Sequence, residues 1–269
     1  MRLDAALPAR GLARSRTHAA TLIAEGLVTV NGRPIVKAST QVADDAWIEV
    51  AATDHYVSRA AHKLLAGLDA SAIEVAGRVA LDMGASTGGF TQVLRERGAD
   101  PVIAVDVGHG QLAASIASDR GVISIEGFNV RYMTPESLAA ASGVSAAPQL
   151  ITGDLSFISL SHVLPAARAV AAADADLVLL VKPQFEVGRT AVKGGLVTDA
   201  AARADAVAGV LWAAWDVGLA TCGVIASPIA GTHGNAEYIA HFRHVGSGAG
   251  RGTNPTEWLH EVERLSISR

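Results

Sequence analysis

Residues 79–90 read VALDMGASTGGF. The apolar run Val79–Leu81 is short and bounded by turn residues, as a buried strand is. Three glycines then place a tight turn before a helix expected over Gly89–Glu96. The spacing Gly84-x-x-x-Gly88 is not the Gly-x-Gly-x-x-Gly that cradles a pyrophosphate. The next apolar run, Val102–Val105, ends at Asp106, twenty-two residues after Gly84. A carboxylate at that strand end is placed to accept hydrogen bonds from ribose hydroxyls. Together the loop and the acid suit a ligand with a ribose and a zwitterionic tail but no phosphate, namely S-adenosylmethionine. The expected contacts are Gly84, Ser86, Gly88 and Asp106, with Asp82 meeting the α-amino group.

Further apolar runs follow at Val122–Ile125, Leu150–Thr152, Leu177–Val181 and Gly223–Ala226, with helices such as Gln111–Ser118 and Ala200–Val217 between them. Alternation of this kind predicts an α/β domain with a doubly wound, mostly parallel sheet, a Rossmann-like fold. Asp154 and Lys182 each end a strand, which puts both at the carboxyl edge where such sheets bind ligands. Lys63 precedes the first strand on a helix with Ala61, Leu64, Leu65 and Leu68, and Glu237 follows a glycine-rich loop. His241-x-x-His244 has a metal-ligand spacing, but solvated histidines are the commoner case, so no metal is expected. Asn254, Pro255 and Glu257 open a last helix whose Trp258, Val262 and Leu265 form an apolar stripe expected to dock on the body.

The chain has 269 residues, 50% of them hydrophobic, which excludes a disordered protein. Its one cysteine, Cys222, excludes an intrachain disulfide and fits a reducing cytoplasm. Residues 1–11 lack the apolar core of a secretory signal. The uncharged stretch Val217–Ala236 is long enough to span a bilayer, but its glycines and Pro228 predict a strand with loops, so no stable membrane insertion is expected. The net charge of −4 is unevenly spread. Residues 1–37 hold six basic and two acidic groups, net +4, which leaves the remainder at −8. A basic module on an acidic body suits a polyanion.

Within that module Ser15 can cap a helix running to about Glu25, with Ala19, Leu22 and Ile23 on one face. Val28–Val30, the turn Asn31-Gly32 and Arg33–Ile35 form a hairpin, and Trp47–Val50 a closing strand. The stretch RLDAALPARGLARSRTHAATLIAEGLVTVNGRPIVKAS resembles the RNA-binding module named after ribosomal small-subunit protein four. That resemblance implies an RNA-gripping face of Arg10, Arg14, Ser15, Arg16 and Lys37. The expected organisation is an RNA-binding domain over 1–52, a linker over 53–58 and the large domain over 59–269.

The blocks SRAAHKL, LDMGASTGGFT, AVDVGHGQL, DLSFISL, VKPQFEVG and GNAEY, in that order, resemble the TlyA family. Its members are cytidine 2′-O-methyltransferases of ribosomal RNA, also labelled haemolysins. The related heat-shock methyltransferase FtsJ uses a Lys-Asp-Lys-Glu tetrad, which falls here on Lys63, Asp154, Lys182 and Glu237. The resemblance implies S-adenosylmethionine as cofactor and ribosomal RNA, in ribosomal subunits, as partner. Lys182 is expected to take the ribose proton, with Asp154 holding it, Glu237 orienting the second lysine and Lys63 steadying the ribose or phosphate. Phe185 or Phe157 can stack on a base, with Phe157 expected in the core. The chain departs from the family at Ala61-His62, where a glycine pair is usual. It departs again at Asp54-His55-Tyr56-Val57, where actinobacterial members have Arg-Ala-Trp-Val. Two other classes stay open at this stage, a non-catalytic ribosome-binding factor and a membrane-active haemolysin.

Overall fold

The computed structural model describes residues 1–13, 15–24, 26–50, 55–188, 192, 194–231, 234–246 and 253–267. It divides into two units, Met1–Arg59 and Ala60–Arg269.

The first unit packs two helices, α1 (Leu3–Ala9) and α2 (Arg16–Ala24), on a three-stranded sheet. Its strands are β1 (Val28–Val30), β2 (Arg33–Pro34) and β3 (Ile48–Val50), in the order β2-β1-β3. The Ser15 hydroxyl accepts from His18 N and caps α2, whose Ala19, Leu22 and Ile23 are buried as their spacing predicts. Asn31 and Gly32 take φ of 51° and 75°, the left-handed pair of a type I′ hairpin turn. Arg10 departs from expectation. Its guanidinium donates to the carbonyls of Ala43, Asp44 and Ala46 at 3.0, 2.9 and 2.6 Å and ties down that loop. Arg16 points to the buried carboxylate of Asp4 at 3.2 Å but stays mostly exposed, and Ser15 and Lys37 are exposed. Arg14 lies outside the described residues.

The second unit holds a seven-stranded sheet. Its strands are β4 (Ala80–Met83), β5 (Val102–Asp106), β6 (Val122–Glu126), β7 (Leu150–Gly153), β8 (Asp176–Val181), β9 (Leu219–Ala226) and β10 (Tyr238–His244). Their order is β6-β5-β4-β7-β8-β10-β9. The pairs from β6 through β8 are parallel, and β10 runs antiparallel to both of its neighbours. All six expected strands form. The sixth starts at Leu219, ahead of its Gly223 boundary, because Leu219–Thr221 also pair with Phe242–His244, a bulge at Cys222 taking up the extra residue.

The strand that the sequence does not announce is β10. Its Tyr238, Ala240 and Phe242 enter the core cluster with Val224 and Val262. The other face of β10 carries His241 and Arg243, which meet Asp176 at the start of β8. Both histidines of the His241-x-x-His244 pair, expected in solvent, are buried instead, each 8% exposed. Asp176 is 1% exposed and also receives Arg78 at 2.6 Å. Burial opposes its ionisation. Hydrogen bonds from His241, Arg243 and Arg78 outweigh that and hold its carboxyl well below the usual range.

Helices cover both faces. On one, α3 (Ala61–Ser71) packs so closely that a Cβ at Gly67 would stand 2.8 Å from Ile239. On the other lie α9 (Ala200–Asp216) and α10 (Leu259–Ile267). Asn254 Oδ1 accepts from Thr256 N and opens a single turn before α10, as expected. Val262 is buried in the core, with Trp258 and Leu265 packed against it. Arg203 on α9 donates to the carbonyl of Ser266 at 2.7 Å. The remaining helices are α4 (Gly89–Glu96), α5 (Ala114–Ala117), α6 (Pro135–Ser142), α7 (Leu164–Val170) and α8 (Pro183–Glu186). The expected helix over Gln111–Ser118 shrinks to α5, because Gln111 turns its side chain to the Ser86 hydroxyl instead. The uncharged stretch 217–236 contributes β9 and loops, and among the described residues no helix is long and apolar enough to cross a membrane.

Replacing Asp176 by alanine leaves Arg78 and Arg243 facing each other without their anion. Urea denaturation is expected to show a loss of about 3–5 kcal/mol. A loss under about 1 kcal/mol would show that the cluster is not what joins β8 to β10.

Candidate active site

Parallel strands end at one edge, so Met83, Asp106, Gly153 and Val181 share the carboxyl edge of the sheet. Because β10 is reversed, its first residue, Tyr238, pairs with Val181 and places Glu237 at the same edge. All four expected catalytic residues converge there. Lys63 Nζ lies 2.6 Å from Glu237 Oε2 and 3.8 Å from Asp154 Oδ2. Lys182 Nζ lies 2.6 Å from Asp154 Oδ1, too oblique for a hydrogen bond, and the contact is an ion pair. Lys182 donates instead to Ser156 Oγ at 2.9 Å. Lys63, Lys182 and Glu237 are 6%, 8% and 3% exposed. Two cations and two anions alternate, which is what makes their burial tolerable. Gly231 lets Glu237 approach, since a Cβ there would stand 2.0 Å from Oε1.

Beside this chain of charges opens a cleft of about 320 Å³ lined by Gly84, Ser86, Asp106, Gln111, Phe128 and Ser156, among others. Gly84 takes φ +81°, and a Cβ on it would press at 3.0 Å on Asp154 O and Leu155. Asp106 accepts from Ser86 N at 2.9 Å and from Gly108 N at 2.7 Å. A carboxylate has about four lone-pair sites, so both oxygens keep capacity for ribose hydroxyls. The cleft, its acid at one wall and a backbone-lined floor fit S-adenosylmethionine. Gly88, at φ +97°, lies under the loop against Leu112 and Ile116.

Asp82 does not line this cleft. It is fully buried and accepts from the Thr91 and Thr152 hydroxyls at 2.7 and 3.1 Å. The expectation of a direct contact with an α-amino group is therefore corrected: Asp82 braces the loop from beneath. Burial pushes its pKa up to about 6, against those two hydrogen bonds. Phe157 is also corrected. It is 91% exposed at φ +65°, its ring 5.2 Å from that of Phe185, which lies 5.9 Å under Lys182 Nζ. Ser156 and Gln111 are site residues that sequence reasoning missed. Ser156 sits two residues after Asp154 in a block already singled out, which was the available signal.

A larger cavity of about 660 Å³ lies at the opposite edge, around Asp176, Cys222 and Trp258. Its carboxylate is engaged by three basic side chains, and burial pushes the Cys222 thiol up to about 11, which leaves it unreactive.

A sheet in this order, with a glycine turn after its first strand and an acid ending its second, defines an S-adenosylmethionine-dependent methyltransferase. The chain belongs to the FtsJ-like methyltransferase family, which matches residues 56–244, and residues 1–48 match the S4 domain. It is 49% identical over 245 residues to the 16S/23S rRNA (cytidine-2′-O)-methyltransferase TlyA of Mycobacterium tuberculosis, across 90% of this chain and 89% of that protein. It is 37% identical to Hemolysin A of Brachyspira hyodysenteriae, across 90% of this chain and 99% of that one. A hemolysin-named protein of Streptococcus thermophilus has a solved structure that matches with a TM-score of 0.77 at 34% identity. That match covers 100% of this chain and 96% of the other.

Asp82 has a pH signature. The folded protein keeps its proton up to about pH 6, whereas an unfolded aspartate releases it near pH 4. Between those values the folded state binds more protons, so this group's contribution to stability falls as pH rises. Asp82→Asn is expected to remove that slope, on the order of 2 kcal/mol across the window, in urea titrations. An unchanged slope would show that the carboxyl is ionised in the folded protein.

Proposed function

We propose that the protein transfers a methyl group to the ribose 2′-hydroxyl of cytidine in 16S and 23S ribosomal RNA, meeting its substrate in ribosomal subunits in the cytoplasm. The observation that carries this reading is the buried Glu237–Lys63–Asp154–Lys182 chain abutting the cleft. The 49% identity to a protein named for the same reaction supports the choice of nucleotide and of both RNAs.

A ribose hydroxyl is a weak acid and a poor nucleophile, so the protein has to align it and take its proton. When bound, S-adenosylmethionine supplies a methyl group already activated on sulfur. Lys182, once its ammonium has given up a proton to solvent, accepts the 2′-hydroxyl proton at Nζ. Asp154, 2.6 Å away, then stabilises the ammonium formed, and Ser156 Oγ fixes the direction of the amine. Glu237 holds Lys63 as a fixed cation facing the ribose or its phosphate. Gly84, Ser86 and Asp106 line the cofactor cleft, with Gly88 and Asp82 supporting the loop from beneath. The exposed Phe157 ring offers a stacking face for a base at the lip.

The S4 unit supplies RNA affinity. Arg16 and Lys37, with backbone amides at the α2 start capped by Ser15, form its phosphate-facing surface, while Arg10 maintains the fold beneath it. Arg14 completes the expected set outside the described residues.

Lys182→Ala is expected to lower single-turnover methylation of ribosomal subunits at least about a hundredfold while cofactor affinity holds. Lys182→Arg is expected to fail equally, because a guanidinium does not release its proton. An arginine variant that kept most of the rate would make Lys182 a fixed charge and send the proton elsewhere. In the S4 unit, Lys37→Ala is expected to weaken RNA binding and reduce its salt slope by about one. Arg10→Ala should lower thermal stability instead, and calorimetry with salt-dependent binding separates the two effects.

A further inference from the structure

The loop after β7, residues 154–159, forms no strand or helix of its own. It nevertheless carries Asp154 and Ser156 to Lys182 and holds Phe157 at φ +65°, a conformation L residues rarely adopt. Such strain persists only where surrounding contacts over-determine it. The start of the loop is also held by Met83 O and Lys63, but both of its ends meet one element. Lys182 is the N-cap of α8, and Glu186 is its last residue, one helical turn further on. Lys182 takes the start of the loop through Asp154 and Ser156. Glu186 takes its end, where Oε1 accepts from Leu160 N at 3.0 Å and Oε2 from Ser159 Oγ at 2.5 Å. The Phe157 and Phe185 rings meet between the two anchor points.

Glu186 is absent from the cleft lining and makes no ion pair with either lysine among the described residues. Burial pushes its carboxyl pKa up, against the hydrogen bonds from Leu160 and Ser159. An acid partly buried here, with its oxygens turned to one loop, acts through that loop.

We propose that Glu186 is a positioning residue for methyl transfer. It clamps the 154–160 loop onto the α8 turn, so that Asp154 and Ser156 stay on Lys182 and Phe157 stays at the lip. This inference rests on the reading of Lys182 given above.

The test uses the full chain with Glu186→Ala, Glu186→Asp and Glu186→Gln. Amide exchange at Leu160 reads the clamp, and single-turnover methylation of ribosomal RNA reads its purpose. Glu186→Ala is expected to speed Leu160 exchange and cut the rate about tenfold or more, since small misplacements of reacting groups are costly. Glu186→Gln keeps an acceptor for Leu160 N and should restore most of both. Glu186→Asp keeps the charge but shortens the reach, and it decides the matter if the alanine variant does not fold. In the Glu186→Ala background, Ser156→Ala should add little, because both changes release the same lysine. A wild type that is active, with Glu186→Ala and Glu186→Asp equally fast, overturns this inference alone. So do fully additive losses with Ser156→Ala, which would mark Glu186 as merely structural. A wild type inactive on ribosomal RNA overturns the proposed reaction and this inference together.

Discussion

One carboxylate, that of Asp154, stands between two ammonium groups, 2.6 Å from Lys182 and 3.8 Å from Lys63. The rest of the carboxyl edge is arranged around that constraint. Two lysines this deeply buried repel each other and lose their hydration, and neither is tolerable without an anion. Asp154 serves both, and Glu237 takes the remaining demand of Lys63. The four groups come from α3, the end of β7, the end of β8 and the start of β10. A sheet of parallel strands alone would put the start of β10 at the far edge. Reversal of that one strand is what lets the fourth charge arrive.

The two ends of β8 show the same physics put to different uses. At the amino end, Asp176 is saturated by Arg78, Arg243 and His241, and nothing remains for a ligand. At the carboxyl end, Lys182 is held by Asp154 and Ser156 next to an open cleft. Six residues, about 20 Å of extended chain, separate a cluster that stabilises from one suited to chemistry.

Most of the sheet was legible because parallel strands buried on both faces read as continuous apolar runs, such as Leu177–Val181. β10 was not legible, because His241 and Arg243 interrupt its pattern to neutralise a carboxylate on the neighbouring strand. The glycine turn and Asp106 were visible from spacing. Lys63 and Glu237 were visible only through family resemblance, since 174 residues separate two groups that touch. Individual side chains misled where type and environment part company. Arg10 looks like a phosphate ligand but ties a loop, Asp82 looks like a ligand contact but is sealed beneath one, and Phe157 looks like core but stands in solvent. Ser156 was marked only by its place two residues after Asp154, because its role depends on where a lysine from another strand ends.

The reversed strand also bears on how the protein comes into being. Among the described residues β10 is the last strand in the sequence, yet it lies inside the sheet, between β8 and β9. During synthesis, β4 to β8 can pair in succession as they emerge, but the final strand has to insert between two earlier ones. Until it does, Lys63 has only the shared Asp154, at 3.8 Å, to offset its charge, and the edge of β8 stays unpaired. Assembly of this charged edge is thereby delayed to the closing stage of folding, and a nascent fragment ending before Glu237 lacks one of its four charges.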